Sequence, residues 1–351
     1  MNPPEEFTLS CPLPHAPGDA IQMAHGGGGL QMQALLNELV RPQLDNAVLA
    51  QNHDAALLEI GQNRLAFTTD SFVVRPLFFA GGDIGSLAVH GTVNDLASLA
   101  ARPLYLSCSL ILEEGFSLAA LQSVLQSMRQ AAEAAGVQIA TGDTKVVEKG
   151  KGDGIYINTT GIGLVDHSRT IHPSEIAAGD AILINGDIGR HGIAILAQRE
   201  GLEFETQLKS DSAPLADMVL SLIDEGIELR CVRDCTRGGL SSALNEIAQS
   251  AHLEFHLVED QIPVHDAVRG ACELLGFDPF AIANEGRMVF FVPQDQAEAA
   301  LAVMRRHVHG EGSACIGRVT ANPTPRVVAE GALGTVRIVD VLSGEPLPRI
   351  C

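Results

Sequence analysis

The spacing of apolar residues changes several times along the chain, and these changes predict a mixture of helices and strands. Where apolar residues recur every three to four positions, one face of a helix is expected to pack on a core. Ser117 is a typical helix N-cap and Gly136 a typical helix stop, so the spacing between them predicts a strong helix. The segments predicted as helices in the first half are 30–40, 93–101 and 117–136.

Continuous or alternating apolar runs between these helices predict strands. In the first half, the predicted strands are 55–60, 65–69, 103–114, 137–144 and 154–165. In the second half, the pattern predicts strands at 181–185 and 287–292 and helices at 191–199, 238–250 and 295–307. Both halves therefore mix the two element types, and the expected fold class is α/β (α+β) with two domains.

A polar stretch around Pro173 separates the two halves and predicts a domain boundary. The expected organisation is a loose, Pro-rich lead-in at 1–20, a first domain at 21–170, a second at 171–340 and an arm at 341–351. Two prolines in the last eight residues exclude a helix there, so the arm is expected to be extended and flexible.

The formal net charge of −20 narrows the possible partners. Such a chain repels nucleic-acid phosphates, and its sequence contains no basic stripe, so no nucleic-acid partner is expected. No apolar run is long enough to span a membrane, and the N-terminus lacks a signal-peptide pattern. We expect a cytoplasmic protein with no membrane partner.

Consecutive glycines precede the first predicted helix, in the sequence HGGGG that contains Gly26, Gly27 and Gly28. Glycines allow backbone N–H groups to approach a phosphate, and a following helix N-terminus favours an anion. The segment is not a Walker A motif, because no G-K-[ST] follows. A flexible hinge is an equally good interpretation.

Five aspartates lie at the ends of apolar stretches or in glycine-flanked turns: Asp70, Asp83, Asp95, Asp143 and Asp234. Mg²⁺ prefers hard oxygen ligands and often shares them with substrate phosphates. Any one of these residues is more simply a helix cap or a turn residue. Five of them spread over both halves favour a shared metal–phosphate site.

Two further charged residues have a possible chemical role. Lys145 lies two positions after Asp143 and is suited to hold an anion or polarise a carbonyl, although a surface ion pair is the simpler interpretation. Glu285, in the sequence ANEGR, is suited to act as a general base if it is buried, and a turn residue is the alternative.

Cys351 is the last residue and one of seven cysteines, an odd number with loose spacing that disfavours a disulfide framework. Thiolate is the strongest side-chain nucleophile, and an extended arm allows this thiol to enter and leave a pocket. A disordered end is the alternative. The sequence alone leaves the choice open.

Several longer blocks resemble the HypE family of hydrogenase maturation factors. They are AHGGGGLQMQALL, TDSFVVRPLFFAGGDIGSLAVHGTVNDLA, YLSCSLILEEGF, TGDTKVV, RDCTRGGL, GACELLG, ANEGR and the terminal PRIC. The resemblance covers nearly the whole chain. It implies a two-domain PurM-like architecture, shared with aminoimidazole ribonucleotide and selenophosphate synthetases, in which the N-terminal domain pairs across a homodimer.

The resemblance also implies ATP and Mg²⁺ near the dimer interface. The implied metal ligands are Asp83, Asp95, Asp143 and Asp234. The residues implied in nucleotide binding are Gly26, Gly27, Gly28, Asp70, Asp83, Asp95, Asp143, Thr144 and Arg349. Cys351, Glu285 and Lys145 are implied in catalysis.

The implied reaction begins when a HypF-like carbamoyltransferase places a carboxamide on Cys351. ATP then activates the amide oxygen, Glu285 removes amide protons, Lys145 orients the group, and a thiocyanate remains for transfer to iron on a HypC–HypD complex. Two alternatives stay open at this point. One is a synthetase or kinase of the same superfamily that acts on a free metabolite, and the other is a cysteine-tail carrier without ATP turnover.

Overall fold

A computed structural model describes residues 20–201, 208–342, 344, 347 and 349–351. The predicted lead-in at 1–20 lies, except for Ala20, outside these residues. The described strands are β1 (Ala56–Ile60), β2 (Asn63–Phe72), β3 (Phe78–Phe79), β4 (Gly82–Asp83), β5 (Arg102–Glu113), β6 (Gln138–Val147), β7 (Ile155–Leu164), β8 (Ala181–Ile184), β9 (Cys231–Asp234), β10 (Glu254–Val258), β11 (Met288–Val292), β12 (Ala314–Val319), β13 (Arg326–Glu330) and β14 (Val336–Ile338).

The described α-helices are α1 (Leu30–Leu35), α2 (Arg41–Leu44), α3 (Ile84–Ser98), α4 (Leu118–Ala134), α5 (Arg190–Glu200), α6 (Ala216–Asp224), α7 (Gly239–Ala251), α8 (Asp266–Leu275) and α9 (Ala297–Met304). A π-helical turn at Leu36–Val40 joins α1 to α2. No helix in this described part of the chain is both long and apolar enough to cross a membrane.

The first sheet has five strands in the order β1–β2–β7–β5–β6, and only the β5–β6 pair is parallel. α3 packs on one face of the sheet, where it contacts β2 and β7, and α4 packs beside it. The opposite face is open and carries Phe67, Tyr105, Ile111 and Ile162, each 38–48% exposed. This face therefore has apolar side chains that no part of the described chain covers.

The second sheet has seven strands in the order β14–β13–β10–β12–β8–β11–β9. β8 and β11 lie in its interior, and every residue of both strands is buried. That burial explains their continuous apolar sequences, AILI and MVFFV, which show no alternation. α7 packs on β10 and β13 of this sheet, and β9, whose following loop leads into α7, contacts α3 of the first domain.

Several sequence predictions are confirmed at the level of elements. Ser117 caps α4 through its hydroxyl oxygen, and the predicted strands at 154–165 and 181–185 are β7 and β8. The helix predicted at 93–101 is wrong at its start, because α3 begins at Ile84. The sequence patterns did not predict α6, α8, β9, β10, β12, β13 or β14.

Candidate functional site

The C-terminal residues lie against the segment that follows β2. The backbone N–H of Val73 donates to the terminal oxygen of Cys351 at 2.9 Å, and the N–H of Arg75 donates to the carbonyl of Arg349 at 3.2 Å. The side chain of Ile350 is 3% exposed and joins the apolar core. The predicted arm is therefore docked at its end, and this docking leaves Cys351 partly buried.

A glycine on α5 permits this close approach. A methyl group at Gly192 would lie 3.2 Å from Leu347 Cδ1 and 2.5 Å from Ile282 Cγ2. The first contact is tight and the second is too short for packed side chains, so a larger residue at this position would displace Ile282 and press on Leu347 of the arm.

Two cavities meet at Arg237, which lines both. The smaller, of about 330 Å³, is bounded by Cys351 together with Gly26 and Gly27. The larger, of about 680 Å³, has Gly28 on its wall. Arg237 Nη1 donates to the carbonyl of Gly26 at 2.9 Å, which ties the glycine-rich segment to the loop before α7.

Four aspartates line the larger cavity. Asp70 lies on β2, Asp95 on α3 and Asp234 at the end of β9, while Asp54 precedes β1. Burial raises the pKa of Asp95 well above its ordinary value, and the carboxylates of Asp234, Asp70 and Asp54 raise it further. Burial, together with Asp54, likewise raises the pKa of Asp234. The four carboxyl groups are therefore close enough that each disfavours ionisation of the others.

Arginines oppose part of this charge. Arg233 Nε lies 3.1 Å from Asp54 Oδ1, and its Nη2 lies 2.6 Å from Glu246 Oε2. Burial raises the pKa of Asp54, and the Arg233 guanidinium opposes that shift. Burial likewise raises the pKa of Asp70, and there the Arg237 guanidinium opposes it. Asp54 Oδ2 is buried and has no hydrogen-bond partner among the residues that the structure describes.

Glu285 is 2% exposed and lies in the loop that leads into β11. Asp211 Oδ2 fixes this loop by accepting from the N–H groups of Glu285, at 3.2 Å, and of Gly286, at 3.0 Å. Within the described part of the chain, the Oε1 atom of Glu285 has no hydrogen-bond partner. Burial raises the pKa of Glu285 well above its ordinary value, and the carboxylates of Asp234 and Asp70 add to the shift.

The Cys351 thiol lies in the field of the same groups. Burial raises its pKa far above the ordinary value, with Glu285, Asp70 and Asp234 adding to the shift and Arg237 opposing it. At neutral pH the docked thiol is therefore protonated. A neutral sulfur substituent fits this environment better than a thiolate does.

The structure gives Asp83 the position of the α3 N-cap. Its Oδ1 accepts from the N–H groups of Gly85, at 2.7 Å, and Ser86, at 3.2 Å. Arg349 also lies apart from the acidic cluster, since its guanidinium pairs with Asp153. It does line the smaller cavity beside Gly26 and Gly27.

Asp143, Thr144 and Lys145 lie on β6, at the exposed edge of the first sheet. Lys145 Nζ lies 2.6 Å from Asp143 Oδ2, and its hydrogen bond, with that from the Thr144 N–H, lowers the pKa of Asp143. Asp143 pairs with Ser109 and Lys145 with Ile111 across the strands, which puts both side chains on the open face. None of the three lines either cavity.

The donor set of the larger cavity fits a divalent cation bound together with phosphates. Among the residues that the structure describes, no group of three or more His, Cys, Asp or Glu side chains forms a ready-made metal cage. Mg²⁺ does not need one, because it usually takes one or two carboxylates, waters and phosphate oxygens. The unpartnered Asp54 Oδ2 and the repulsion within the cluster are what a cation would relieve.

Sequence reasoning did not single out Arg237, Arg233 or Asp54. Both arginines lie in or beside the quoted RDCTRGGL block, so their position next to Asp234 was a signal. Asp54 lies in a loop with no motif around it. Only the pairing of distant segments brings it to the cluster.

Comparison with known proteins identifies the family. Residues 52–165 match the family model described as AIR synthase related protein, N-terminal domain, and residues 177–330 match the model of the C-terminal domain. The chain is 49% identical over 332 residues to carbamoyl dehydratase HypE of Azotobacter vinelandii, a match that covers 95% of this chain and 97% of that protein.

Two solved structures agree with this match. A hydrogenase maturation protein HypE in complex with ATP is 46% identical, with a TM-score of 0.79, over 95% of this chain and 100% of that one. A chain in the crystal structure of a HypE–HypF complex is 43% identical, with a TM-score of 0.84, over 88% and 100%. These matches confirm the predicted two-domain PurM-like α/β fold, and the chain belongs to the HypE family of carbamoyl dehydratases.

Proposed function

We propose that this protein uses ATP to remove water from a carboxamide carried on its own Cys351, which leaves a thiocyanate. The docked arm is the observation that carries the proposal: Cys351 borders the cavity that Arg237 shares with the aspartate cluster. The buried Glu285 lines neither cavity, but its charge acts on both Cys351 and Arg237, so it is the proposed base.

The proposed reaction balances without a redox partner. The carboxamide oxygen attacks the terminal phosphorus of ATP and ADP leaves. Loss of both amide protons then forms the carbon–nitrogen triple bond as the carbon–oxygen bond breaks, and phosphate departs with the oxygen. The sum is S-carboxamide plus ATP giving S-cyanide, ADP, hydrogen phosphate and one proton, since one of the two amide protons leaves on the phosphate.

Glu285 is proposed as the base that takes the amide protons. An amide N–H is weakly acidic, so a carboxylate whose basicity is raised by burial is better matched to it than an exposed one. Asp211 accepts a hydrogen bond from the backbone N–H of Glu285. This bond keeps the Glu285 carboxylate in place without occupying the oxygens of that carboxylate. Catalysis then needs no large rearrangement of the base.

Asp70, Asp95, Asp234 and Asp54 are the residues that would hold Mg²⁺. When bound, the ion would neutralise phosphate charge and so favour attack at phosphorus. Arg237 and the N-terminus of α7 face the same cavity and would bind the phosphates. The ATP complex of a relative 46% identical to this chain supports the nucleotide part of the proposal.

Loading of Cys351 is proposed to happen with the arm withdrawn. The docked thiol is protonated and partly buried, which makes it a poor nucleophile for carbamoylation. A HypF-like carbamoyltransferase is the proposed donor, and the HypE–HypF complex of a relative supports it. A HypC–HypD complex is the proposed acceptor of the cyano group, and the cytoplasm the proposed location.

A homodimer is proposed to complete the site. The open sheet face carries Phe67, Tyr105, Ile111 and Ile162 beside Asp143 and Lys145. Burying such a patch against a second copy would remove its apolar surface from water. Asp143, Thr144 and Lys145 would then act at the cavity of the partner subunit.

The two alternatives are not favoured. A kinase acting on a free metabolite would not need the chain's own terminus seated at its cavity. A simple carrier would not need four aspartates around one cavity, where burial and mutual repulsion disfavour their charged forms.

Phosphate release under single-turnover conditions tests the proposal. Chain carbamoylated on Cys351 should release one phosphate per carboxamide, in step with loss of the carboxamide. The uncarbamoylated chain and the Cys351→Ala variant should show only slow background hydrolysis. Equal phosphate release with and without the carboxamide would reject the proposal.

A further inference from the structure

Asp153, in the turn between β6 and β7, joins the arm to the segment on which it docks. Its Oδ1 accepts from Arg75 Nη1 at 2.6 Å, and its Oδ2 accepts from Arg349 Nη1. Arg75 belongs to the docking segment and Arg349 to the arm, so one carboxylate bridges the two.

The turn itself is anchored from a neighbouring strand. Glu113, the last residue of β5, accepts from the N–H of Gly154 at 3.0 Å and from the N–H of Gly150. These bonds flank Asp153 on both sides. The Asp153 carboxylate is therefore presented from a rigid turn and does not depend on the arm for its position.

α5 holds the arm from the other side. His191 is fully buried, its Nε2–H donates to the Ile350 carbonyl at 2.8 Å, and its Nδ1 lies 2.8 Å from Ser210 Oγ. Arg199, near the other end of α5, donates to the carbonyl of Arg349 at 3.0 Å and to that of Arg75 at 2.6 Å. One helix thus contacts two successive carbonyls of the arm.

Together with the N–H groups of Val73 and Arg75, these side chains engage the carbonyl oxygen of each of the last three residues. Arg349 also adopts a φ of 56°, in the left-handed region that non-glycine residues rarely occupy. Such a conformation persists where surrounding contacts enforce it. Burial of Ile350 alone would favour docking, but it would not fix the register of the backbone.

We propose that Asp153, His191 and Arg199 form a docking clamp, which binds the end of the chain and so positions the Cys351 sulfur at the cavity. Within the clamp, Asp153 is a positioning residue that pairs with the opposite charges of Arg75 and Arg349. His191 and Arg199 instead donate to backbone carbonyls of the arm. The effect of the clamp on catalysis rests on the proposed dehydration, whereas the docking of the arm does not depend on that reaction.

Accessibility of Cys351 tests the clamp directly. The full-length protein is treated with iodoacetamide, and alkylation of the peptide that carries Cys351 is followed by mass spectrometry. Asp153→Arg places a positive charge against Arg75 and Arg349, so alkylation should accelerate roughly fivefold to tenfold, the scale of a charge-assisted hydrogen bond. The double variant Asp153→Arg with Arg349→Asp restores an opposite pair and should return the rate most of the way to wild type.

Glu133→Arg is the matched control. Glu133 forms an exposed ion pair with Arg129 on α4, and its replacement changes the net charge by the same amount. Asp153→Asn provides a milder variant if Asp153→Arg unfolds, as judged by circular dichroism. An unchanged rate in both Asp153 variants, an equal acceleration in Glu133→Arg, or a double variant that stays fast would each overturn the clamp.

A second readout separates the clamp from the proposed function. With carbamoylated protein, the Asp153→Arg variant should dehydrate its carboxamide more slowly than wild type by a factor similar to the change in docking. If wild type shows no dehydration but the alkylation pattern holds, the clamp stands and the proposed function fails. If dehydration is equal in wild type and variant while alkylation differs, the clamp does not position the sulfur for reaction.

Discussion

Two groups of charged residues, both predicted from the sequence to serve one site, have opposite environments in this protein. Asp70, Asp95 and Asp234 line one cavity, Asp234 buried and the other two half-buried, and desolvation and mutual repulsion raise the pKa of Asp95 and Asp234. Asp143 and Lys145 lie on the open face of the first sheet, where their pairing lowers the pKa of Asp143. The first group is already assembled within one chain, whereas the second has nothing described to act on.

The two environments call for different explanations: ligand binding for the cluster of like charges, and assembly with a second copy of the chain for the exposed pair. A buried cluster of like charges costs stability and is expected where a ligand supplies the missing positive charge. An exposed ion pair costs little and contributes little. The Asp143–Lys145 pair becomes functional only if a second copy brings it to a cavity, so the two groups make different predictions.

The largest expected effect comes from the base. Glu285→Gln keeps the size of the side chain and removes its ability to accept protons, so single-turnover dehydration of carbamoylated protein should fall by about 10²- to 10⁴-fold. Quantification of thiocyanate on Cys351 by mass spectrometry measures it. Glu133→Gln, on the exposed surface of α4, is the matched control. A Glu285→Gln variant at wild-type rate would remove Glu285 from the mechanism.

Complementation between inactive variants tests whether Lys145 acts on the partner subunit. Lys145→Ala should reduce dehydration by about tenfold or more, because it removes a charge at the reacting group. Mixing it with Glu285→Gln should restore about a quarter of wild-type turnover, since about half of randomly paired dimers are mixed and each contains one intact site. If Lys145 acts within its own chain, mixing restores nothing.

Asp95→Asn should raise stability while it lowers ATP turnover. The pKa of Asp95 is raised in the folded state, so that state binds a proton more readily and wild type loses stability as pH rises above the ordinary aspartate range. Without nucleotide or Mg²⁺, the variant should melt about 2 °C higher at pH 7, a gain of roughly 1 kcal/mol, and the gain should vanish near pH 4. The Asn oxygen can still accept from Thr68 Oγ1.

Thermal melts across this pH range measure the gain in stability, and phosphate release measures the loss of ATP turnover. A variant less stable than wild type at pH 7 would show that the cluster is not strained by repulsion.

The smallest effect is expected at Asp83. Asparagine is as good an N-cap as aspartate, so Asp83→Asn should change the free energy of unfolding by only a few tenths of a kcal/mol and leave ATP turnover within about twofold. Asp83→Ala should cost about 1 kcal/mol through loss of the cap. Urea unfolding and phosphate release distinguish this from the metal-ligand role predicted from sequence, since a ligand would lose turnover in both variants.

The parts of the fold that were predictable are those with a strong local signal. α4 has an apolar stripe, a Ser117 cap and a glycine after its end, and all three signals agree. The first turns of α3 were missed because the helix is buried on almost every side, so it has no polar face to reveal its period. β13 and β14 lie in a proline-containing stretch with little periodicity.

The sequence singled out Asp70, Asp95 and Asp234, and the structure places all three with Arg237 around one cavity. Glu285 lies outside that lining but in the electrostatic field of Asp234 and Asp70. The chemical roles of these residues stay predictions. The clamp could not be predicted, because Asp153 and Arg349 are 196 residues apart and only the fold brings them into contact. Whether the domain limits of 170 and 340 are those of independent folding units stays a prediction.

The most direct test of the central claim follows the mass of the intact chain. Wild type and Cys351→Ala are incubated with a HypF-like carbamoyltransferase, carbamoyl phosphate, ATP and Mg²⁺. Wild type should gain one carboxamide and then lose the mass of one water only when ATP is present, while Cys351→Ala should gain nothing. A wild-type chain that forms no adduct on Cys351, or keeps its water in the presence of ATP, would contradict the account.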